Sequence, residues 1–230
     1  DFRRNRYWDE STLLKLKQYI DPKRNILEVG GHCGTSTIVY ASFINDTQTL
    51  NVFEPQQNMF KLLQRNVQQN NLQNKIIPHN KGVFCYSGHA KMNSHDLELG
   101  AMAAKSYTKG NTTKCNFGGM CLGAGGETIR LTTIDDLKLN NIGFIHCDAQ
   151  GSENFIFARA LETIRRCRPV VYYEDNERLG RYLYDRVCKT HCPKYSQESK
   201  FDIAKYCMET LGYSKMIRRF NGGIDTLLVP

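Results

Sequence analysis

The sequence lacks any uninterrupted apolar run of about 20 residues, so none of it is expected to insert into a membrane. It lacks the basic, then apolar, opening of a secretory leader. With six prolines and one tryptophan among 230 residues it has no proline-rich or low-complexity tract, and no internal repeat breaks it up. Its nine cysteines include no Cys-x-x-Cys pair. An odd count without paired spacing suggests reduced thiols and a cytoplasmic setting rather than a disulfide framework. The closest approach to a zinc spacing is Cys188-x-x-x-Cys192 around His191, with Cys207 or Cys121 in reserve, and buried free thiols explain it more simply. Acidic excess is also missing. The net charge is +8, with basic clusters at Arg3-Arg4-Arg6, Arg165-Arg166-Arg168 and Arg218-Arg219. Such charge permits an acidic partner but first suggests a solvated face.

Two nucleotide signatures are absent where one would look for them. The run Asn25-Ile26-Leu27-Glu28-Val29-Gly30-Gly31-His32-Cys33-Gly34-Thr35-Ser36 reads as a buried strand, a glycine turn and a helix N-terminus. Val29 stands where the dinucleotide fingerprint needs its first glycine, and no Walker lysine follows for a triphosphate. What is present is an acid, Glu28, before a looser glycine turn that would let a ligand approach the backbone. A ligand with positive charge and no phosphate suits that loop, and S-adenosylmethionine has an ammonium, a sulfonium and no phosphate. A second strand, Thr49 to Phe53, ends in Glu54-Pro55 about 20 residues later, where such folds place the carboxylate that holds ribose hydroxyls.

The remaining chain alternates strands and helices, as expected of one α/β domain over residues 1–230 with right-handed parallel crossovers. Residues 1–23 form an N-terminal helical segment, with Leu13, Leu16 and Ile20 on one face of a helix over 9–20. Ile38, Val39 and Phe43 are expected against the sheet, and Phe60, Leu63 and Val67 form the stripe of a helix over 56–70. Lys75 to His79 is a third strand, closed by the turn Asn80-Lys81-Gly82 at the same sheet edge. Residues 93–127 break the rhythm with seven glycines and form a candidate substrate lid. Residues 133–137 start a short helix. The fourth strand, Gly143 to Asp148, turns at Ala149-Gln150-Gly151, and the fifth, Pro169 to Tyr173, runs into Glu174-Asp175-Asn176. A helix over 201–211 and a hairpin over 212–229 close the chain.

The strand ends carry the candidate chemistry. A neutral hydroxyl is a poor nucleophile and needs a proton acceptor or a metal. Asp148 and Glu174 end neighbouring strands, and His146 alternates with Asp148 and so shares its face. Asp148, Glu174, Asp175 and Asn176 could converge on a hard divalent cation such as Mg2+ or Mn2+.

Taken in order, Ile26 to Tyr40, Phe53-Glu54-Pro55, Thr132 to Leu137, Asp148-Ala149-Gln150-Gly151-Ser152-Glu153 and Arg168-Pro169-Val170-Val171 resemble the FkbM-type S-adenosylmethionine-dependent O-methyltransferases, over about residues 24–176. The resemblance implies a doubly wound, Rossmann-like sheet of seven strands, the last antiparallel, with helices on both faces. It implies methylation of hydroxyls on sugars, glycans or polyketides. The cofactor set it implies is Glu28, Gly30, Gly31, His32, Gly34, Thr35 and Ser36 around the methionine end, Glu54 and Pro55 at the ribose, Asn80, Lys81 and Gly82 near the adenine, and Asp148 near the methyl. Two features depart from the family: Gln150 stands where it has glutamate, and the 93–127 insert is unusually long. The chain opens on Asp1, as expected of a piece cut from a longer protein, and a domain fused to glycosyltransferase domains, as in a viral glycan-building protein working in host cytoplasm, would suit it. The rival readings are a nucleic-acid methyltransferase, permitted by charge, and a non-catalytic binding module on the same fold. Ala149-Gln150-Gly151 offers no proline pair for a DNA amino-methyltransferase, and no lysine flanks Asp148 or Glu174 as a ribose methyltransferase would want, so a glycan partner is favoured over nucleic acid.

Overall fold

The computed structural model describes residues 9–93, 120–185, 189 and 193–230. Most of the 93–127 insert, the Arg3-Arg4-Arg6 cluster and the Cys188–Cys192 pair with His191 lie outside the described residues. A seven-stranded sheet is built from β1 (Asn25–Val29), β2 (Leu50–Phe53), β3 (Ile76–His79), β7 (Ile142–Cys147), β8 (Val170–Glu174), β9 (Lys215–Arg218) and β10 (Asp225–Val229), in the order β3-β2-β1-β7-β8-β10-β9. β1 pairs parallel with β2 and β7, β2 with β3, and β7 with β8. β10 runs antiparallel to both β8 and β9, so it alone points against the other six. The expected sheet and its closing hairpin are both present.

The strands are buried on both faces because helices cover both, which is why they read as near-continuous apolar runs. On one face α1 (Glu10–Leu16), α2 (Thr35–Ala41) and α3 (Gln57–Gln69) pack on Ile26, Leu50, Val52, Phe144 and Leu227. On the other, α4 (Glu153–Phe157), α5 (Leu161–Cys167) and α7 (Ile203–Lys205) pack on Leu27, Val29, Ile145, Cys147 and Val171. α6 (Glu177–Leu183) follows β8. Among the described residues no helix is long and apolar enough to cross a membrane.

Several local expectations shift. Tyr40, fully buried, takes the sheet-facing place expected of Ile38, which is half-buried. The helix over 201–211 is one α turn continued by a π-helical turn, Tyr206–Thr210. The segment over 133–137 holds only a 3-10 turn, Asp135–Leu137. Residues 82–93 add two short strands, β4 (Gly82–Val83) and β5 (Gly88–Asn93), joined with β6 (Gly125–Thr132) in a separate sheet ordered β4-β6-β5. That small sheet has its own apolar cluster of Phe84, Met92, Leu122, Ile129, Leu131 and Phe155, and it stands beside the carboxyl edge of the large sheet.

The glycine turn after β1 is held by packing. Leu63 of α3, wholly buried, fills the space a side chain at Gly34 would need: a Cβ there would lie 2.5 Å from Leu63 Cδ1. Gly34 also has φ +88°, which only glycine adopts without strain. Truncating a buried leucine typically costs about 2–5 kcal/mol. Leu63→Ala is therefore expected to lower unfolding stability by about that amount in urea titration, and a loss below about 1 kcal/mol would show that α3 does not brace the turn.

Candidate functional site

The carboxyl edge of the parallel strands opens into a cavity of about 770 Å³. Its walls come from the turn after β1 (Gly30, Gly31, His32, Cys33, Thr35, Ser36), the end of β2 (Glu54, Pro55), β7 and its turn (His146, Asp148, Gln150), β8 (Tyr172, Glu174) and the start of β10 (Asp225). The small sheet and the end of the insert add an apolar wall that includes Met92, Met120, Cys121, Leu122 and Leu131.

The turn is glycine-rich because its backbone is crowded. A Cβ on Gly30 would sit 1.8 Å from the Asp148 carbonyl oxygen, and one on Gly31 would sit 2.2 Å from Val52 Cγ2. The Gly30 and Gly31 N–H groups both donate to the Phe53 carbonyl. The glycines therefore close β1 against β2 and β7, with the Gly30 and Gly31 N–H groups used within that closure. His32 follows with φ +48° and donates its N–H to Glu54 Oε2 at 2.8 Å. Burial lowers the His32 pKa, against the charge of Asp148.

Glu54 is nearly buried yet borders the cavity. Each carboxylate oxygen accepts one backbone N–H, Oε1 from Gln56 and Oε2 from His32, both at 2.8 Å. The Gln56 side chain hydrogen-bonds the same carboxylate, and since each carboxylate oxygen can accept twice, room is left for a hydroxyl. Asn80 supports the same corner by donating to the Glu54 and Pro55 carbonyls.

Strand register sorts the ionisable groups into two rows on one face. Glu28 pairs with His146, and His146 with Tyr172, forming the inner row. One step outward, Asp148 and Glu174 end adjacent strands and Asp225 pairs with Glu174. Glu28 lies beneath the cavity, fully buried. Ser36 Oγ donates to its Oε1 at 2.5 Å, the His146 Nδ1 lies 3.4 Å from the same oxygen, and Oε2 is buried without a partner among the described residues. Burial would lower the His146 pKa, but the contact with Glu28 and its charge outweigh burial and raise it. Asp148 is exposed to the cavity, and Gln150 Nε2 donates to its Oδ1 at 2.8 Å. Gln150 has φ +53°, which turns its side chain back over the strand end.

Of the residues singled out from sequence, the cavity brings together Gly30, Gly31, His32, Thr35, Ser36, Glu54, Pro55, Gly82, His146, Asp148 and Glu174. Glu28, Gly34, Asn80, Lys81, Asp175 and Asn176 do not line it. Asp175 Oδ2 instead lies 3.4 Å from both Arg218 Nη1 and Thr226 Oγ1. The carboxylates that do converge are Asp148, Glu174 and Glu153, whose oxygens lie within 4.8 Å of one another. Burial and the neighbouring Glu174 raise the Glu153 pKa well above the usual carboxyl range. The sequence reading missed Glu153, Tyr40, Tyr172 and Asp225. Tyr172 could have been found, since it alternates with Glu174 as His146 does with Asp148. Asp225 needed the hairpin register.

Burial pushes the Glu54 carboxyl up to about 7, against the lowering hydrogen bonds from Gln56 and His32. The folded value exceeds the ordinary 4.5, so the stabilisation is complete below about 4.5 and is lost as pH rises through about 7. Ligand-free protein should therefore lose up to about 3 kcal/mol of stability over that window from this group. Glu54→Gln should flatten that part of the pH–stability curve, and an unchanged slope in the variant would show that Glu54 titrates normally.

A family model described as the methyltransferase FkbM domain matches residues 28–190. No curated protein matches the chain by sequence. The crystal structure of the FkbM methyltransferase of Methylobacillus flagellatus KT is similar with a TM-score of 0.56 at 15% identity, over 96% of this chain and 46% of that one. This chain thus spans less than half the length of that relative. Cofactor-bound Rv0187 from MTB gives 0.51 at 15% identity, over 98% of this chain and 82% of its own. An O-methyltransferase from Bacillus cereus in complex with SAH gives 0.50 at 16% identity, over 96% and 79%. At such identities the structural likenesses show a shared fold. The family model covers most of the chain, and on that ground the chain belongs to the FkbM methyltransferase family.

Proposed function

We propose that the cavity binds S-adenosylmethionine and transfers its methyl group to a hydroxyl of a sugar or glycan. The observation that carries the cofactor half is Glu54: a carboxylate at the end of β2, bordering the cavity, fixed by two backbone N–H groups and the Gln56 side chain and with acceptor capacity left for a hydroxyl. The vicinal hydroxyls of a ribose match it. The other described walls fit too, with an apolar side for a purine and carboxylates for a ligand of net positive charge. The relatives described as cofactor-bound or in complex with SAH share this fold.

When bound, the cofactor supplies an electrophilic methyl group; the protein must hold the acceptor oxygen in line with it and take its proton. Asp148 is placed for that proton, since it faces the cavity at the end of β7 and Gln150 fixes its carboxylate. His146, whose raised pKa favours its protonated form, serves behind Asp148 by balancing Glu28. Glu174 is placed to orient the acceptor. Met120, Cys121 and Leu122, the described end of the 93–127 insert, border the cavity, which supports the lid reading of that segment.

A second reading is a divalent Mg2+ or Mn2+ ion at the acceptor, carried by the convergence of Asp148, Glu153 and Glu174. Oxygen donors suit such hard ions, and an ion there would offset the burial and the Glu174 repulsion that together raise the Glu153 pKa. These three residues, rather than Asp175 and Asn176, would hold it.

Three outcomes are expected. S-adenosylhomocysteine should bind in the micromolar range, about −8 kcal/mol, by calorimetry. Glu54→Ala should weaken it by about 1–3 kcal/mol, and no heat with wild type would end the cofactor reading. A panel of free and linked sugars, read by mass shift, should show a methylated product that Asp148→Asn loses, and a product formed equally by that variant would remove Asp148 as the base. If the ion takes part, dialysis against chelator should cut turnover at least about ten-fold and added Mg2+ or Mn2+ should restore it. Full activity in excess chelator would remove the metal.

A further inference from the structure

The lobe of the cavity away from Glu54 is bounded by Asp9 and Thr12 at the start of α1, by Tyr40 of α2, by His146 and Tyr172, and by Asp225. Its charge is one-sided. Five carboxylates, Asp9, Glu54, Asp148, Glu174 and Asp225, border the cavity, and no lysine or arginine appears among its described lining residues, although the chain as a whole is strongly basic. Two aromatic rings stand among these acids. Tyr172 stacks on His146 with centroids 5.3 Å apart and hydrogen-bonds Asp225, and Tyr40 meets His146 edge-on at 5.4 Å. One group there is incomplete: the Tyr40 side chain is fully buried, lines the cavity, and its hydroxyl has no hydrogen-bond partner among the described residues. A buried hydroxyl without a partner is costly unless a ligand or water supplies one.

We propose that this lobe takes the ammonium group of an amino-sugar acceptor, held between Asp9 and Asp225 beside the Tyr172 ring, with the Tyr40 hydroxyl as a further contact. The inference rests on the methyl-transfer reading of the same cavity and adds the class of acceptor to it. Carboxylates with flanking aromatic faces recognise a cation by charge-assisted hydrogen bonds and by attraction to the ring faces. The same walls repel a phosphate or a carboxylate, so nucleotides, nucleic acid and uronic acids are poor occupants. His146, the only described lining residue that carries positive charge, is drawn to Glu28, so an uncharged sugar would leave the acids largely uncompensated. The cofactor brings an ammonium of its own, so the test is made with that position filled.

Sugar titrations into wild-type protein saturated with S-adenosylhomocysteine, followed by ligand-detected NMR, compare glucosamine, glucose and glucuronic acid. Glucosamine should bind about ten-fold or more tighter than glucose, and glucuronic acid should not bind measurably. Glucosamine binding no tighter than glucose, failing to bind, or matched by glucuronic acid overturns the inference. Asp225→Asn should reduce the preference for glucosamine, as should Asp9→Asn; a preference intact in both variants also overturns it. The heat of S-adenosylhomocysteine binding, measured on the same sample, reports on the methyl-transfer reading separately, so the loss of one is not mistaken for the loss of the other.

Discussion

The site depends on one backbone contact, where the turn after β1 lies against the end of β7. Gly30 has no room for a side chain because the Asp148 carbonyl occupies it, and the Asp148 N–H in turn donates to the Val29 carbonyl at 3.0 Å. The N–H groups of Gly30 and Gly31 close on Phe53 at the end of β2. Three strand ends are thereby locked together, and each carries an acid at the lock: Glu28 within β1 beneath it, Glu54 after β2 on one side and Asp148 after β7 on the other. A substituent at Gly30 would push β1 and β7 apart, and with them the proposed cofactor and acceptor ends of the cavity.

On this frame the sheet works as a ruler. Neighbouring strands lie about 4.8 Å apart and side chains alternate, so residues two apart on adjacent strands form a lattice of groups on one face. Glu28, His146 and Tyr172 occupy one row, and Asp148, Glu174 and Asp225 the next. In the inner row Glu28 is buried and meets Ser36 and His146, while His146 and Tyr172 also border the cavity. The outer row meets the cavity. Gln150 tips this balance: an amide donor there supports Asp148, where the glutamate expected of the family would have added another negative charge.

Much of this was legible in the sequence because strands buried on both faces must be apolar until they end, and the first polar residue after each run marks the sheet edge. Glu54, Asp148 and Glu174 were found that way. The glycine turn was legible as a turn, but its cause was not: Gly30, Gly31 and Gly34 answer to Asp148, Val52 and Leu63, two of them far away along the chain. Asp175 and Asn176 misled because they follow the strand directly. The antiparallel pairing of β10 draws Asp175 toward Thr226 and Arg218 and brings Asp225 to the edge instead. Glu153 carries no local signal, since it is α4 that sets it against the ends of β7 and β8. Contacts of this kind are set by tertiary register, which no local pattern contains.

The central claim is that the turn after β1 and the acid after β2 together form a nucleoside site for methyl transfer. A crystal structure of the protein with S-adenosylhomocysteine tests it most directly. The account predicts both ribose hydroxyls within hydrogen-bonding distance of the Glu54 carboxylate and the sulfur directed toward Asp148. A nucleoside seated elsewhere, or a Glu54 carboxylate touching only His32 and Gln56 in the occupied site, would contradict it.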